Sequence, residues 1–547
     1  MMQSHWFKNA VIYCLEVDVF NDGNGDGIGD FVGLRQGLSY LAGLGVSCLW
    51  LLPFFKSPDR DDGYDVMDYL SVDPALGDLG DFAAFMDEAR DRGIRVIIDL
   101  VVNHTSNRHP WFQQARRKDP KYYDYYVWRS DPPGDTSKEV AFPGKEKSVW
   151  QYDKMAKAYY FHRFYHYQPD LNTANPAVRE EIKKILGFWA ALGVSGFRVD
   201  AAPFVISAKG ANVEKQPHES FEFLNEFREF LRWKTGDAIL LAEANVPPEQ
   251  LINFFGPDGT RMNMLLNFYV NPHLFLAIAQ KNPEPILRSL RALPQIPASC
   301  QWAYFLRNHD ELDLSRLAGP EREDCFRAFA PKKEMQLYDR GIRRRLAPMF
   351  NGNIAQILLA YSIIFTIPGT PVFWFGDEIG MGEDLSLEER NSVRTPMQWS
   401  DERNGGFSTA PKEQLRRPVV SKGKFSYRHV NVQALRREPQ SLLNCLERMI
   451  RTRKEYPEFG TGSYRILETD KPKTIFAHAC EDDGGRAVLA AHNLSDKPET
   501  VIIHLWKDSF DHFVYLFEEW EDEPISDGKI NLKLPPQGYS WLRLAPK

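Results

Sequence analysis

Residues 95–104 read Arg-Val-Ile-Ile-Asp-Leu-Val-Val-Asn-His, an apolar run that ends in polar side chains. Such a short and continuous apolar run is typical of a strand buried on both faces of a parallel sheet. Similar runs alternate along the chain with segments of helical periodicity, and they span residues 11–15, 48–52, 196–199, 239–242, 265–270, 302–306 and 372–375. Eight strand–helix repeats predict an α/β fold in which the strands close into a (β/α)8 TIM barrel.

Two long intervals and one change of pattern divide the chain further. Residues 104–172 are weakly periodic and rich in Tyr, Trp, Pro and Lys, which predicts an inserted subdomain after the third strand. Residues 397–431 are long and polar, as functional loops often are. After residue 459, short alternating runs between turn residues predict an antiparallel β-sandwich. We therefore assign residues 1–103 and 173–459 to the barrel, 104–172 to the insert and 460–547 to the sandwich.

The composition excludes several classes of protein. With 43% hydrophobic and 26% charged residues, the chain is expected to be globular, and no stretch approaches the roughly 18 apolar residues of a membrane span. A net charge of −7 without a basic face argues against a nucleic-acid partner. The six cysteines lack metal-site spacing and the N-terminus lacks a secretory pattern, so we expect free thiols and a cytoplasmic location. The sequence leaves the oligomeric state open.

Acidic residues end or follow several of the predicted strands. They are Asp99, Asp200, Glu243 and Asp310. Because the carboxyl ends of barrel strands form the catalytic face, we expect these side chains to meet. A single acid there could be a helix cap, but several at one level indicate a catalytic site.

The acids after the fourth and fifth strands suit glycosidic-bond chemistry. A retaining glycosidase needs a carboxylate about 5–5.5 Å from a carboxylic acid, the first as nucleophile and the second as proton donor. Arg198 lies on the same side of its strand as Asp200, so we expect its charge to lower the pKa of Asp200. Glu243 has apolar neighbours, which we expect to raise its pKa.

A glycine-rich loop follows the first strand. Oxygen-bearing side chains at its positions 1, 3, 5 and 9, with the carbonyl at position 7, repeat the spacing of a calcium loop; these are Asp22, Asn24, Asp26, Asp30 and Ile28. The twelfth position is Gly33 rather than Glu, so the loop is not an EF-hand. We expect Ca²⁺ there, with Mg²⁺ as a possible substitute and a metal-free turn as the alternative.

The four strand-end motifs, in this order, resemble the signature regions of the α-amylase family of retaining glycosidases and transglycosidases. The resemblance runs from the first strand to the C-terminal sandwich. It implies that Asp200 is the nucleophile, Glu243 the acid/base and Asp310 a third acid that grips the sugar. Further substrate-binding positions are implied at Asp61, Tyr64, His104, Phe164, Arg198, His309 and Arg394.

A second calcium site is implied by the same resemblance. It would use Asn103 and Asp170 together with backbone carbonyls. Trehalose synthases add a Glu at the position of Ser207, and this departure removes one anionic ligand from the site.

Within the family, the chain resembles the trehalose synthases, which isomerise maltose to trehalose. Residues 160–172, 305–312, 338–348 and 376–382 carry this resemblance, whereas residues 140–150 depart from it. The implied substrates are maltose, trehalose or short malto-oligosaccharides. Hydrolysis by an α-glucosidase or α-amylase action is the alternative, since the outcome depends on whether glucose or water attacks the glucosyl intermediate. A non-catalytic transporter subunit is a further alternative, but such chains have a membrane helix and lose catalytic acids.

Overall fold

Eight parallel strands close into a barrel in the computed structural model, which describes residues 5–207, 209, 220–507, 509–517 and 522–546. The strands pair in chain order and the last pairs with the first. They are Ile12–Leu15, Cys48–Leu51, Arg95–Leu100, Gly196–Val199, Ile239–Ala242, Met264–Leu266, Gln301–Phe305 and Thr370–Trp374. The predicted (β/α)8 barrel is confirmed.

The sixth strand is shorter than its apolar run, which we expected to reach residue 270. The Asn267 side chain accepts a hydrogen bond of 2.8 Å from the Val270 amide, which begins the helix Val270–Gln280. An asparagine that caps an amide in this way favours a turn over continued strand pairing. Local side-chain bonding therefore ends the strand within the apolar run.

Helices pack around the barrel and share its core. The first begins at Asp30, whose carboxylate accepts a hydrogen bond of 2.6 Å from the Gly33 amide, and it ends at Gly45, which has φ of 94°. The main helices are Phe31–Leu44, Leu79–Asp91, Pro176–Ala191, Glu222–Thr235, Pro248–Phe255, Val270–Gln280, Glu284–Ala292, Gly319–Phe329, Ile354–Thr366 and Leu442–Glu455. Shorter helices span Ala202–Ile206, Leu346–Met349, Val432–Arg436 and Glu458–Thr461.

The segment between the third strand and the helix Pro176–Ala191 has a small sheet of its own. Its strands are Trp128–Arg129, Ala158–Phe161 and Trp150–Asp153, in that spatial order, and the helix Pro110–Ala115 precedes them. Tyr126 and Leu171 join the apolar core of the barrel, so the segment lies against the barrel mouth. Further short strands outside the barrel are Phe55–Lys56, Asp68–Val72, Leu312–Asp313, Gln336–Leu337 and Gly341–Ile342.

The C-terminal region consists of antiparallel sheets, as expected of a β-sandwich. The larger sheet contains, in spatial order, Ser463–Ile466, Ile475–Glu481, Ala487–Asn493, Tyr539–Pro546, Phe510–Tyr515 and Asp522–Pro524. The smaller contains Glu468–Thr469, Glu499–His504 and Lys529–Leu534. Phe476 and Trp541 belong to the barrel's core cluster, and Trp541 donates a hydrogen bond of 2.8 Å to Ser362. The sandwich therefore packs on the barrel helix Ile354–Thr366.

Two other expectations concern cysteines and membranes. All six cysteines lie among the described residues and are free thiols; Cys445 is partly exposed and the others are buried. None of the helices that the structure describes combines the length and apolarity needed to cross a bilayer.

Candidate active site

A cavity of about 420 Å³ opens at the carboxyl ends of the barrel strands. This volume lies within the roughly 300–1,000 Å³ range of small-molecule sites. Most of the predicted catalytic and substrate-binding residues line it: Asp61, Tyr64, His104, Phe164, Asp200, Glu243 and Asp310. The other three, Arg198, His309 and Arg394, are buried and form hydrogen bonds with lining residues. Their partners are Asp200, Tyr64 and Asp310, respectively.

Arg198 joins the two acids expected to perform the chemistry. One terminal nitrogen of its guanidinium donates to Asp200 at 2.5 Å, and the other donates to Glu243 at 2.7 Å. The first nitrogen also donates to Asp99 at 2.7 Å. Asp99, Arg198 and Asp200 are buried and the Glu243 side chain is 23% exposed, so a single cation faces three carboxyl groups that are largely removed from solvent. These groups cannot all be ionised without a large electrostatic cost.

The pKa of Glu243 is higher than that of Asp200. Burial raises the pKa of Glu243 to about 7, against the opposing effect of Arg198, as predicted. Burial also raises the pKa of Asp200 to about 6. The expected net lowering by Arg198 was wrong, because loss of hydration outweighs the attraction of the guanidinium. Asp200 nevertheless ionises before Glu243, which suits a nucleophile beside a general acid.

The backbone directly after Asp200 is strained. Ala201 has φ of 47°, a left-handed conformation that costs a non-glycine residue about 1–2 kcal/mol. In this conformation the Ala201 amide donates to the Glu243 carboxyl group at 3.1 Å. The strained residue therefore orients the second acid toward the first.

Tyr64 holds both predicted sugar-binding histidines. Its hydroxyl lies 2.8 Å from Nε2 of His309, whose ring stacks on that of Tyr64, and its carbonyl lies 3.1 Å from Nε2 of His104. Burial holds the pKa of each histidine below its usual value, well below it for His309. Both rings are therefore neutral near pH 7. Tyr64 therefore orients both His104 and His309.

The third acid lies between two arginines. Arg390 donates to Asp310 at 2.7 Å and Arg394 donates to it at 3.1 Å. Burial acts to raise the pKa of Asp310. The guanidinium groups of Arg390 and Arg394 outweigh that effect and hold this pKa well below its usual range. Asp310 is therefore an anion under all physiological conditions.

Sequence reasoning missed Arg390. It donates to Asp61 at 3.0 Å as well as to Asp310, and both Asp61 and Arg390 line the main cavity and an adjoining smaller one. The ion pair is thus the wall between the two cavities. Arg390 lies in the short 3-10 helix Glu389–Val393 after the eighth strand, four residues before Arg394, so only the presence of an arginine-bearing loop was visible in the sequence.

The predicted functional loop, residues 397–431, contacts Asp62, the residue next to Asp61. It is described in full, and its regular structure is limited to the turns Arg403–Gly406 and Lys412–Gln414. Its Arg417 pairs with Glu16 at 2.7 Å and with Asp62, which also pairs with Arg394. The loop therefore contributes to a buried charge network that reaches Asp310 through Arg394.

Part of the segment that departs from the trehalose synthases lines the cavity, with Val140, Ala141 and Phe142. Phe142 packs against Tyr165 and Tyr338, with ring centroids 4.6 and 5.2 Å away, and the guanidinium of Arg390 lies over its ring. The Ala141 carbonyl accepts a hydrogen bond from Arg340. Polar groups on the same side of the cavity are Asn245, Glu311, Asp313 and Arg340.

The loop predicted to bind calcium is folded by its own carboxylates. Asp22 and Asp30 both accept hydrogen bonds from the Asn24 amide, at 3.2 and 3.1 Å, so the two carboxylates lie close together. Asn24 and Asp26 bond amides two residues ahead. Among the described residues, no group of three or more His, Cys, Asp or Glu side chains is placed to hold a metal ion. An ion here would need neutral oxygens such as those of Asn24 and Ile28, which is the donor type that Ca²⁺ accepts.

The second predicted metal site contains a lysine. The Lys209 ammonium lies 2.7 Å from the side-chain oxygen of Asn103 and 3.1 Å from the carboxylate of Asp170. The Ser207 hydroxyl donates a hydrogen bond of 3.0 Å to the Phe204 carbonyl. Asn103 and Asp170 meet as predicted, but their oxygens already surround a cation supplied by the chain, and they do not fit an added metal ion.

Comparison with known proteins agrees with this geometry. The family model of the α-amylase catalytic domain matches residues 14–331 and 341–462. The chain belongs to the α-amylase family. A trehalose synthase of Thermus thermophilus is 43% identical over 547 residues, which are 100% of this chain and 56% of that protein. A trehalose synthase of Pimelobacter sp. (strain R48) is 40% identical over 554 residues, covering 99% of this chain and 96% of that protein.

The α-amylase fold is also evident from a solved structure. The crystal structure of an α-amylase from H. orenii superposes with a TM-score of 0.79 at 28% identity, covering 98% of this chain and 100% of that one. Together with the family match, these relatives show an enzyme of the glycosidase and transglycosidase kind, which excludes the non-catalytic transporter subunit.

Proposed function

We propose that this α-amylase-family enzyme interconverts maltose and trehalose through a covalent glucosyl–Asp200 intermediate. The single observation that carries this proposal is the sharing of one Arg198 guanidinium by Asp200 and Glu243. Because both carboxyl groups bind the same guanidinium, they lie close together. This proximity favours the retaining arrangement over the inverting one, in which the acids lie about 6.5–9.5 Å apart.

The first step breaks the bond between the two glucose units. The Asp200 carboxylate attacks the anomeric carbon, and protonated Glu243 gives its proton to the departing glycosidic oxygen. A glucosyl ester on Asp200 and a free glucose result. Asp310 remains an anion that binds hydroxyl groups of the reacting ring, which places the sugar for attack.

The second step decides the product. In the proposed reaction the released glucose turns within the cavity, and its anomeric hydroxyl attacks the ester while Glu243 recovers the proton. Trehalose forms because the new bond joins two anomeric carbons. If water attacks instead, glucose is the product. Retention of the hexose and exclusion of water therefore separate the proposed isomerase from a hydrolytic α-glucosidase.

Two features of the cavity support the retention of one hexose. The ion pair of Asp61 and Arg390 closes the cavity on one side, so a single glucose unit is accommodated beyond the cleaved bond. On the other side, the segment carrying Phe142 lines the cavity, and Glu311 and Arg340 offer polar groups to the second sugar. The relatives named as trehalose synthases point the same way.

A metal ion and a cellular location are also proposed for the enzyme. We propose Ca²⁺ at the loop of residues 22–30, where all the available donors are oxygens and Mg²⁺ would compete. Six free thiols suit a reducing compartment, which supports a cytoplasmic location.

The test is a proton-NMR time course of the purified enzyme with maltose, following the anomeric signals. The proposal requires a trehalose signal that grows faster than that of free glucose. The Asp200→Asn variant, similar in shape but without the nucleophilic carboxylate, should give neither product. Free glucose without trehalose would establish the hydrolase instead.

A further inference from the structure

Lys209 lies in a cage of protein oxygens. Its ammonium is within 2.7 Å of Asn103 Oδ1, 3.1 Å of Asp170 Oδ2 and 3.2 Å of the carbonyl oxygens of Asn103 and Leu171. Asn103 and Asp170 are fully buried and Lys209 is 7% exposed. Four oxygens directed at one buried nitrogen form a site built for a cation.

The dimensions of the cage match an ammonium ion. Distances of 2.7–3.2 Å are those of N–H···O hydrogen bonds. Calcium would draw its ligands to about 2.3–2.6 Å and would need six to eight of them, whereas this cage provides four. Its formal charge is −1, from Asp170 alone, and the lysine neutralises it. A divalent ion and the ammonium could not occupy this place together.

The cage joins three parts of the active site. Asn103 follows the third barrel strand, and its side-chain nitrogen lies 3.3 Å from Nδ1 of His104. Asp170 ends the inserted segment, and its second oxygen accepts a hydrogen bond of 2.8 Å from the Arg163 amide, next to Phe164. Lys209 itself comes from the loop after the nucleophile strand. The one ammonium thus links this loop to the insert and to a histidine that lines the cavity.

We propose that the Lys209 ammonium is the resident cation of this cage and anchors the inserted segment to the barrel without a metal ion. The reaction performed in the cavity does not enter this argument, so the proposal stands or falls separately from the proposed isomerase activity.

Calcium-binding stoichiometry tests the proposal, measured by equilibrium dialysis and metal analysis. The loop of residues 22–30 is a confounding site, so the measurement starts from the Asp26→Ala variant, which lacks an exposed ligand of that loop. We expect no saturable Ca²⁺ in this variant. A bound equivalent that disappears on the further change Asp170→Asn would overturn the proposal, and this arm requires no change at Lys209.

The second arm removes the ammonium. Removal of the Lys209 side chain leaves room for water molecules, which would complete the coordination of Ca²⁺ beyond the four oxygens of the cage. Asp26→Ala combined with Lys209→Ala should therefore bind about one equivalent of Ca²⁺, and Ca²⁺ should raise its melting temperature. Lys209→Met, which fills the space without a charge, should gain no Ca²⁺. Lys281→Ala is the matched control, because it removes a lysine from an exposed pair with Asp496 and should change neither quantity. A folded Lys209→Ala double variant that binds no Ca²⁺ would contradict a cage built for a cation.

Discussion

Asp61 and Arg390 form an ion pair of 3.0 Å that separates the reaction cavity from a smaller cavity beside it. The two residues lie far apart in the chain, on the segment after the second strand and on the loop after the eighth. Because Arg390 also binds Asp310 at 2.7 Å, the same guanidinium closes the cavity and orients the third acid.

Replacing Arg390 should therefore change the preferred chain length. Arg390→Ala opens the wall toward the adjoining cavity, so the rate with maltotriose relative to maltose should rise. The value of kcat/KM for maltose should fall about 100-fold, since the third acid loses an orienting partner. The measurement is a comparison of kcat/KM for the two sugars, with Arg390→Lys as the control that keeps a charge. An unchanged ratio in Arg390→Ala would show that the ion pair does not limit chain length.

Replacing Phe142 should admit water to the glucosyl intermediate. Phe142 is 7% exposed, lines the cavity and packs against Tyr165 and Tyr338. In Phe142→Ala the ratio of glucose to trehalose formed from maltose should rise about tenfold, a difference of about 1.4 kcal/mol between the two outcomes. Tyr152→Ala, at an exposed position of the same insert, is the matched control and should leave the ratio unchanged. Equal ratios in both variants would remove Phe142 from the account of water exclusion.

The pH profile of the enzyme follows from the two catalytic acids. Asp200 must be ionised to attack, so kcat/KM should fall as the pH drops through about 6. Glu243 must be protonated to release the leaving sugar, so kcat/KM should fall as the pH rises through about 7. The result is a narrow bell whose limbs report the coupled pair.

Glu311 provides the control for this profile. Burial raises its pKa to about 7 as well, so it could in principle produce the alkaline limb. Glu311→Gln should keep that limb, whereas Glu243→Gln should lose it and lower the rate about 10²–10⁴-fold. If Glu311→Gln alone lost the alkaline limb, Glu243 would not be the proton donor.

A buried histidine pair should make the junction of barrel and sandwich sensitive to acid. His478 bonds Thr366 and His492 bonds Ser362, both on the helix Ile354–Thr366, and burial lowers the pKa of His492 to about 4 and that of His478 well below its usual value. Because the pKa of the folded state lies below the ordinary histidine value of about 6.5, the protein has its full stability above about pH 6.5. It loses stability as the pH falls from there toward 4. The contribution of His492 is on the order of 3 kcal/mol.

Urea unfolding of the whole protein between pH 7 and pH 4.5 measures this effect. The unfolding midpoint should fall with pH in the unmodified enzyme, and His492→Gln should reduce the slope. The exposed His504 is a suitable control position, and His504→Gln should retain the full slope. If His492→Gln had the same slope as the unmodified enzyme, the pair would not be responsible.

The fold was predictable because each barrel strand is a local apolar run. The acids of the active site were predictable for the same reason, because the barrel brings strand ends together. Asp200 and Glu243 directly follow such runs, and Asp310 comes shortly after another. The sixth strand was predicted too long, because the apolar pattern continues into the helix Val270–Gln280 and does not show where the strand ends. The hydrogen bond from the Val270 amide to Asn267 ends the strand earlier.

Other parts of the site depend on long-range packing. Arg390 and Lys209 lie in loops without a periodic pattern, and they reach the site only because the barrel folds around them. The pKa of Asp200 moved opposite to expectation because Arg198 is visible in the sequence, whereas the burial that outweighs it is not. Charge partners can be predicted from spacing, but loss of hydration requires the folded structure.

The central claim is that the glucose released from maltose stays in the cavity until it attacks the glucosyl–Asp200 intermediate. The most direct test is a proton-NMR time course with unlabelled maltose and added ¹³C-labelled glucose. The account predicts that trehalose accumulates faster than unlabelled free glucose and contains no ¹³C. Trehalose labelled in proportion to the added glucose, or glucose as the sole product, would contradict it.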